Sequence, residues 1–271
     1  MKFNNLDAFF EFAKTLRLIA SKDLGQNFLI NPQTAQKIVE TLDVKKDEKV
    51  LEIGAGFGSL SCFLTQTSAD VCLLDVDPKT IAFLNEQFGD KTNISVVQES
   101  ILKHNVSNYK KIIGNLPYYI TSDTVEYCLL NGRTCTKMVF MIQKEVVQRL
   151  NAKVGEDGYG PLAILVSFLG TIKKTFNVGR AQFVPTPKVE SSVVEININA
   201  NCDYVTAEKL IKIVKSLFHH RRKTIRNNLR LLLNDSIQAD ETLSILKVDG
   251  TKRPQDLDVT FYLALIKQLK F

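Results

Sequence analysis

The chain has 271 residues, enough for one large domain or for a large and a small one. Hydrophobic residues make up 45% and charged residues 24%, as in ordinary globular proteins, and no apolar run approaches the roughly 20 residues that a membrane helix needs. The first residues carry Asp7, Glu11 and Lys14 among apolar positions, which does not fit a signal peptide. We therefore expect a cytoplasmic protein with no membrane partner.

Cysteine and histidine usage argues against disulfide frameworks and zinc sites. The five cysteines are an odd number, and no two of them have CxxC spacing. The three histidines are too few and too scattered for a metal cluster. We expect no metal ion.

The first 150 residues alternate short β-branched runs with amphipathic stretches. Strands are predicted over "KVLEIG" (49–54), "VCLLDV" (71–76), "NISVVQ" (93–98), "KKIIGN" (110–115) and "KMVFMIQ" (137–143). Helices are predicted from about Ser59, over "PKTIAFLNEQF" after the start signal Asp77–Pro78, and over "SDTVEYCLL" and "KEVVQRL". This alternation predicts an α/β fold with a mostly parallel sheet covered on both faces.

The pattern changes after Gly170. "TIKKTFNVG" and "SSVVEININA" predict an antiparallel hairpin at the sheet edge, and from Thr206 the spacing is helical over "AEKLIKIVKSLF", "TIRNNLRLLL" and "DVTFYLALIKQL". We expect a first domain at 1–200 and a small all-helical domain at 201–271, divided within "NANCDY" (199–204). Residues 1–21 form an N-terminal extension, with the spacing of an amphipathic helix at Leu6, Phe9, Phe10, Ala13 and Leu16.

The segment from Lys209 to Arg230 is strongly basic. It holds four lysines and four arginines but no acidic residue, in a chain of net charge +6. Such a run forms either an ordinary solvated face or a binding surface for an anionic polymer.

A glycine-rich turn follows the first long strand. Gly54, Gly56 and Gly58 allow a tight turn and close approach of a ligand, and Asp75, 21 residues after Gly54, ends the next strand, where a carboxylate can accept both hydroxyls of a ribose. The pattern therefore favours a binding site for a nucleoside-containing cofactor over a glycine turn with only a structural role. The dehydrogenase pattern needs glycine or alanine where Ser59 stands, and the GK[ST] of a phosphate loop is absent.

The spacing of these glycines, with Glu52 just before them, resembles the class I methyltransferases that bind S-adenosylmethionine. This cofactor has no pyrophosphate, which fits the departure from the dinucleotide pattern. Glu99, after the strand "ISVVQ", stands where such folds place an acidic residue against the adenine amine.

"NLPYY" (115–119) follows the strand "KKIIGN" and should emerge beside the cofactor. The Asn115 side-chain oxygen and the Leu116 carbonyl can accept hydrogen bonds from an exocyclic adenine amine and stabilise the positive charge that develops on methylation. Pro117 fixes the backbone direction, and Tyr118 offers a face for a flipped base. The alternative is an ordinary strand-to-turn junction with packed tyrosines.

Six blocks of the chain are together similar to the ribosomal RNA adenine dimethyltransferases, in particular the KsgA type. They are "GQNFLIN" (25–31), "LEIGAGFGSLS" (51–61), "IIGNLPYYIT" (112–121), "FMIQKEVVQRL" (140–150), "FVPTPKVESSVV" (183–194) and "FHHRRKTIRNNL" (218–229). The resemblance implies a Rossmann-like class I methyltransferase domain. It also implies S-adenosylmethionine-dependent dimethylation of two adjacent adenosines near the 3′ end of 16S RNA, in a partly assembled small ribosomal subunit. We expect the protein to be a monomer.

The same resemblance implies roles for individual residues. The cofactor site would comprise Gln26, Asn27, Leu29, Glu52, Gly54, Gly56, Asp75, Val76, Glu99, Ser100 and Asn115. The target base would be held by Asn115, Leu116, Pro117 and Tyr118, with Phe183 stacked on its other face. From the basic segment itself we predict contacts with RNA phosphates through Lys215, Arg221, Arg222, Lys223 and Arg226.

Several positions depart from the family pattern. Ala55 replaces proline, Asp75 replaces the more frequent Glu, Glu99–Ser100 replaces Asp–Ala, and Tyr119 replaces Asn. Ala55 should only loosen the turn, and Asp75 keeps the charge but shortens the reach by one methylene. Glu99–Ser100 weakens the case for the adenine contact. We expect Tyr119 to leave the chemistry unchanged and to alter the fit around the base. Two alternatives stay open: a large-subunit RNA dimethyltransferase of the macrolide-resistance type, which usually has Ile where this chain has Leu116, and a non-catalytic ribosome assembly factor with the same fold.

Overall fold

A computed structural model describes residues 5–15 and 25–270, which divide into two compact units. The first runs to Val147 and resumes over Lys173–Ile198, and the second comprises Gln148–Ile172 and the chain from Asn199 onward. Segment 148–172 thus belongs to the helical unit and not to the first domain as expected. The physical reason is that Tyr159, Ala163 and Ile164 are buried in the apolar core of the helical unit.

The first unit is built on a seven-stranded sheet of order β4-β3-β2-β5-β6-β9-β7. Its strands are β2 (Lys49–Ile53), β3 (Asp70–Asp75), β4 (Ile94–Gln98), β5 (Lys111–Asn115), β6 (Lys137–Gln143), β7 (Gly170–Val178) and β9 (Ser191–Ile198). Neighbouring strands from β4 to β6 are parallel, and β9 is antiparallel to β6. A separate two-stranded sheet pairs β1 (Phe28–Leu29) with β8 (Phe183–Val184). The mostly parallel α/β fold is confirmed.

In the described part of the first unit the chain begins these helices: α1 (Leu6–Thr15), α2 (Pro32–Leu42), α3 (Ser61–Leu64), α4 (Pro78–Phe88), α5 (Thr121–Asn131) and α6 (Lys144–Asn151). The start signal of α4 works as predicted, since the Asp77 side chain accepts a hydrogen bond from the Lys79 N–H. Helix α3 is shorter than the sequence indicated. Helix α1 buries Phe9, Phe10 and Ala13, as its spacing predicted, while Leu16 lies outside the described residues.

The central strands are apolar throughout because the sheet is covered on both faces. Val50 and Leu51, which point to opposite faces of β2, are both fully buried, and so are Ile112 and Ile113 of β5. This rigid frame fixes where each strand ends, and the polar residues of interest stand at those ends.

The second unit consists of α7 (Pro161–Leu169), α8 (Tyr204–His219), α9 (Ile225–Leu233), α10 (Ser236–Ile245) and α11 (Val259–Leu269). Its core includes Leu210, Val214, Ile225, Leu229 and Tyr262. Among helices within residues 5–15 and 25–270, none combines the length and the apolar character needed to span a bilayer.

Candidate functional site

A cleft lies in the first unit where β2, β3, β4 and β5 end. Its open volume is about 1030 Å³ including the solvent at its mouth. The walls contain the glycine turn, the ends of β3, β4 and β5, and the segment 25–29. The cleft brings together the predicted site residues Gln26, Asn27, Leu29, Glu52, Gly54, Gly56, Asp75, Val76, Glu99, Ser100, Asn115, Leu116, Pro117 and Tyr118. Their individual binding roles stay predictions.

The glycine turn depends on backbone conformations that side chains disfavour. Gly54 has φ of +65° and Gly56 has φ of +54°, both in the left-handed region. A Cβ on Gly56 would also lie 3.3 Å from the ring of Phe28. Any side chain there would be strained and crowded, so the turn leaves main chain exposed to the cleft.

Asp75 anchors this turn. Its Oδ2 accepts a hydrogen bond from the Gly56 N–H at 2.9 Å, and its Oδ1 accepts one from the Asp77 N–H at 2.9 Å. The side chain is largely buried, and this burial raises the pKa of the Asp75 carboxyl above its ordinary value. Each carboxylate oxygen retains a second lone pair. Asp75 can therefore hold the turn and still accept ribose hydroxyls from the cleft.

Glu52 is a second acidic group in the wall and is almost fully buried. Its Oε2 accepts a hydrogen bond from the Ser61 hydroxyl at 2.6 Å. Burial, with a smaller contribution from the charge of Asp75, raises the pKa of Glu52 to about 8. A cationic ligand in the cleft would favour its ionised form.

Asn115 stands at the end of β5 with its amide orientation fixed. Its Nδ2 donates to the Asn27 carbonyl at 2.9 Å, and only the NH₂ side of the amide can do so. Oδ1 is thereby left as an acceptor. The Leu116 N–H donates to the Met141 carbonyl at 3.1 Å, and Pro117 restricts the next peptide, which carries the Leu116 carbonyl.

The ring of Tyr118 is held by its hydroxyl, which lies 3.1 Å from Ser191 Oγ. Burial raises the pKa of Tyr118, so the phenol stays neutral at ordinary pH. Tyr119 also lines the cleft but is 62% exposed, and its ring lies against Gly25. The fixed ring of Tyr118 is thus the better surface for a base held close to Asn115.

Phe183 does not reach the cleft, contrary to the expectation that it faces the target base. Its ring is 2% exposed and belongs to the apolar core, because β8 pairs with β1 in a register that sets Phe183 opposite Leu29. Phe183 therefore supports the strand that carries the cleft residue Leu29.

The segment 25–29 is tied to the cleft by hydrogen bonds that the sequence did not reveal. Ser59 Oγ donates to the Leu29 carbonyl at 2.6 Å, and Gln26 Nε2 donates to Asp77 Oδ2 at 2.9 Å. Thr124, a further wall residue, has a buried hydroxyl with no hydrogen-bond partner in the described part of the chain. Such a hydroxyl fits a cleft that receives a polar ligand.

The chemistry of the cleft fits S-adenosylmethionine. An open main-chain turn, a carboxylate at the end of β3 and a second carboxylate, Glu99, beyond β4 follow one another along one wall. This order is the one in which the sequence-based prediction assigns the three groups to the methionine, ribose and adenine parts of that molecule. Within residues 5–15 and 25–270, no group of three or more His, Cys, Asp or Glu side chains is placed to hold a metal ion.

The predicted RNA-binding residues lie in the second unit, near the end of α8, in the loop that follows it and at the start of α9, and all are exposed. The Arg226 Nε lies 3.2 Å from Asp240 Oδ1, in an ion pair shared with Arg230. The connecting loop is held by the buried Asn228, whose Nδ2 donates to the carbonyls of His220, Lys223 and Thr224. This positioning residue was missed, although it stands within the block "FHHRRKTIRNNL".

The chain is similar over most of its length to ribosomal RNA methyltransferases. A family model described as "Ribosomal RNA adenine dimethylase" matches residues 18–270. The chain is 33% identical to ribosomal RNA small subunit methyltransferase A of Malacoplasma penetrans, over 95% of this chain and 94% of that protein. It is 35% identical to the protein of the same name from Mycoplasma mobile, over 92% and 97%.

Two solved structures share the fold. A dimethyladenosine transferase from Plasmodium falciparum has a TM-score of 0.74 at 25% identity, covering 89% of this chain and 96% of that chain. The 23S rRNA methyltransferase ErmE has a TM-score of 0.66 at 25% identity, covering 90% and 100%. The fold is therefore the Rossmann-like fold of class I methyltransferases, as predicted.

Proposed function

The chain belongs to the ribosomal RNA adenine dimethylase family, and we propose that it dimethylates the 6-amino groups of two adjacent adenosines near the 3′ end of 16S RNA. Family membership makes it a ribosomal RNA adenine dimethyltransferase. The small-subunit choice rests on relatives named for that subunit at 33–35% identity over more than nine-tenths of the chain. The structural likeness to a large-subunit enzyme, at 25% identity, is weaker support for the alternative.

The observation that carries the proposed chemistry is the orientation of the Asn115 amide. The bond from Nδ2 to the Asn27 carbonyl leaves Oδ1 able to accept from the target amine. With the Leu116 carbonyl as a second acceptor, the amine nitrogen is drawn toward tetrahedral geometry and its developing charge is stabilised. Tyr118 stacks on the base. S-adenosylmethionine, when bound, supplies an electrophilic methyl group on a sulfonium.

No strong general base is needed in this scheme. The amine proton becomes acidic once the methyl group is attached, and it leaves through the oxygen acceptors to solvent. No metal is required either, because the two oxygens of Asn115 and Leu116 activate the amine. We place the enzyme in the cytoplasm, as a monomer acting on a partly assembled small subunit.

For the helical unit we propose contacts with RNA phosphates through Lys215, Arg221, Arg222 and Lys223. These side chains are exposed around one helix end and one loop, and no acidic residue interrupts the segment. Arg226 would contribute less than expected, because Asp240 already neutralises part of its charge.

The proposal is tested by transfer of tritiated methyl groups from S-adenosylmethionine to small subunits lacking the modification, with large-subunit RNA as the comparison. We expect incorporation of four methyl groups into each small subunit, two on each adenosine, and none into large-subunit RNA. Incorporation into large-subunit RNA alone would support the resistance-type alternative. RNA binding without any transfer would leave only a role as an assembly factor.

A further inference from the structure

Glu99 is not free in the cleft wall but is held by a histidine that no motif identified. His104 Nδ1 lies 2.8 Å from Glu99 Oε2, and His104 Nε2 lies 3.0 Å from the Tyr109 hydroxyl. The Glu99 side chain is 40% exposed, whereas that of His104 is 13% exposed. Tyr109, His104 and Glu99 form one line of hydrogen bonds, and Glu99 is the member that lies in the cleft wall.

Hydrogen-bonding rules set the direction of this line. A carboxylate oxygen accepts, so the His104 Nδ1–H donates to Glu99, and in the tautomer that carries only this proton Nε2 accepts from the Tyr109 hydroxyl. Burial and the neighbouring Cys72 raise the pKa of Tyr109, which keeps this hydroxyl protonated as a donor. In this arrangement the Tyr109 hydroxyl donates to His104 Nε2, and the His104 Nδ1–H donates to Glu99 Oε2.

The line is also fixed at the main chain. The Tyr127 hydroxyl of α5 donates to the His104 carbonyl at 2.8 Å, and the Glu99 N–H donates to the Asp75 carbonyl at 3.0 Å. Within residues 5–15 and 25–270, Glu99 Oε1 has no hydrogen-bond partner. One carboxylate oxygen is thus occupied, and the other remains available to a ligand.

We propose that His104 is a positioning residue that, with Tyr109, orients the Glu99 carboxylate so that Oε1 accepts a hydrogen bond from the 6-amino group of the cofactor adenine. This inference rests on the proposed use of S-adenosylmethionine. The flexible Glu99 side chain loses rotamer freedom to the His104 bond, which fixes the direction in which Oε1 points.

The test measures recognition of the amine itself. Calorimetry gives the Kd of S-adenosylhomocysteine and of an analogue whose purine carries hydrogen in place of the 6-amino group. We expect the wild-type protein to prefer the amine by about tenfold or more, the usual strength of a hydrogen bond to a charged group. His104→Phe should reduce this preference to roughly threefold or less, because the carboxylate is no longer oriented.

Further variants separate orientation from simple structural support. His104→Gln, whose amide can donate to Glu99, should keep most of the preference, and Tyr109→Phe should give an intermediate value. His219→Phe, the same exchange in the helical unit, should leave both affinities unchanged. A His104→Phe protein that binds both ligands equally less well, with the preference intact, would overturn the inference.

The possible outcomes distinguish a failure of the proposed function from a failure of this inference. Wild-type protein that binds neither S-adenosylhomocysteine nor its analogue would overturn both. Wild-type protein that prefers the amine tenfold, with the same preference in His104→Phe and Tyr109→Phe, would overturn the role of His104 and leave the proposed function intact. Should His104→Phe fail to fold, the Tyr109→Phe comparison decides the question.

Discussion

Asn115 Nδ2 donates to the main-chain carbonyl of Asn27 across 2.9 Å, joining the end of β5 to the segment that precedes β1. This bond spans 88 residues of sequence and decides which amide atom is available to a substrate. It thereby couples the position of the segment 25–29 to the chemistry at Asn115.

We predict that Asn115→Ala lowers kcat by roughly 100-fold or more, because one of two acceptors that stabilise the transition state is lost. Asn115→Asp should also lose methyl transfer, since a carboxylate oxygen would then face the Asn27 carbonyl. Single-turnover methyl transfer measures the effect. Asn85→Ala, an exposed amide on α4, is the control. Undiminished single-turnover rates in Asn115→Ala would remove the proposed role of the amide.

Phe183→Ala should destabilise the fold by about 3–5 kcal/mol, because a buried aromatic ring is replaced by a cavity. Phe183→Leu refills most of that space and should keep methyl transfer within a few-fold of wild type. Urea denaturation and transfer rates are measured on both variants. A stably folded Phe183→Leu with transfer reduced more than 100-fold would instead support the stacking role expected from the sequence.

Glu52 should make stability depend on pH. Its pKa is raised from 4.5 to about 8 in the fold, so between these values the unfolded chain releases a proton that the folded chain keeps. The contribution of Glu52 to the free energy of unfolding is therefore complete below about pH 4.5. It decreases as pH rises toward 8, by up to about 1.4 kcal/mol per pH unit. Glu52→Gln should lack this fall. Parallel stability–pH curves for the two proteins would show that Glu52 ionises normally.

Charge reversal in the basic loop should weaken RNA binding but not cofactor binding. Arg221→Glu is expected to lower RNA affinity and to reduce the slope of log K against log salt by roughly 0.7–0.9 for the lost phosphate contact. Lys46→Glu makes the same charge change at an exposed site of the first unit and should have a smaller effect. If the two variants weakened RNA binding equally, the RNA affinity would depend only on the net charge of the protein and not on the basic loop.

Sequence patterns predicted the parts of the fold that have strong local signals. The apolar runs of β2, β3 and β5, the cap Asp77 and the glycine turn all lie where expected. Helix α10 was not predicted, because its apolar residues lack clear helical spacing and only the cap Asp235 marks its start.

The remaining differences depend on contacts between residues distant in sequence. The burial of Phe183 follows from the pairing of β8 with β1, and the inclusion of 148–172 in the helical unit follows from its shared core. His104 has no motif, and only the folded chain shows that it contacts Glu99. Local patterns contain none of these relationships.

Mapping the methylated nucleotides tests the proposed RNA substrate and the role of Asn115 together. Small subunits lacking the modification are incubated with the protein and S-adenosylmethionine, and the 16S RNA is digested and analysed by mass spectrometry. We predict dimethyladenosine at two adjacent positions near the 3′ end, lost with Asn115→Ala and kept with Asn85→Ala. Methylation at other nucleotides, or unmodified 16S RNA with the wild-type protein, would rule out the proposed activity.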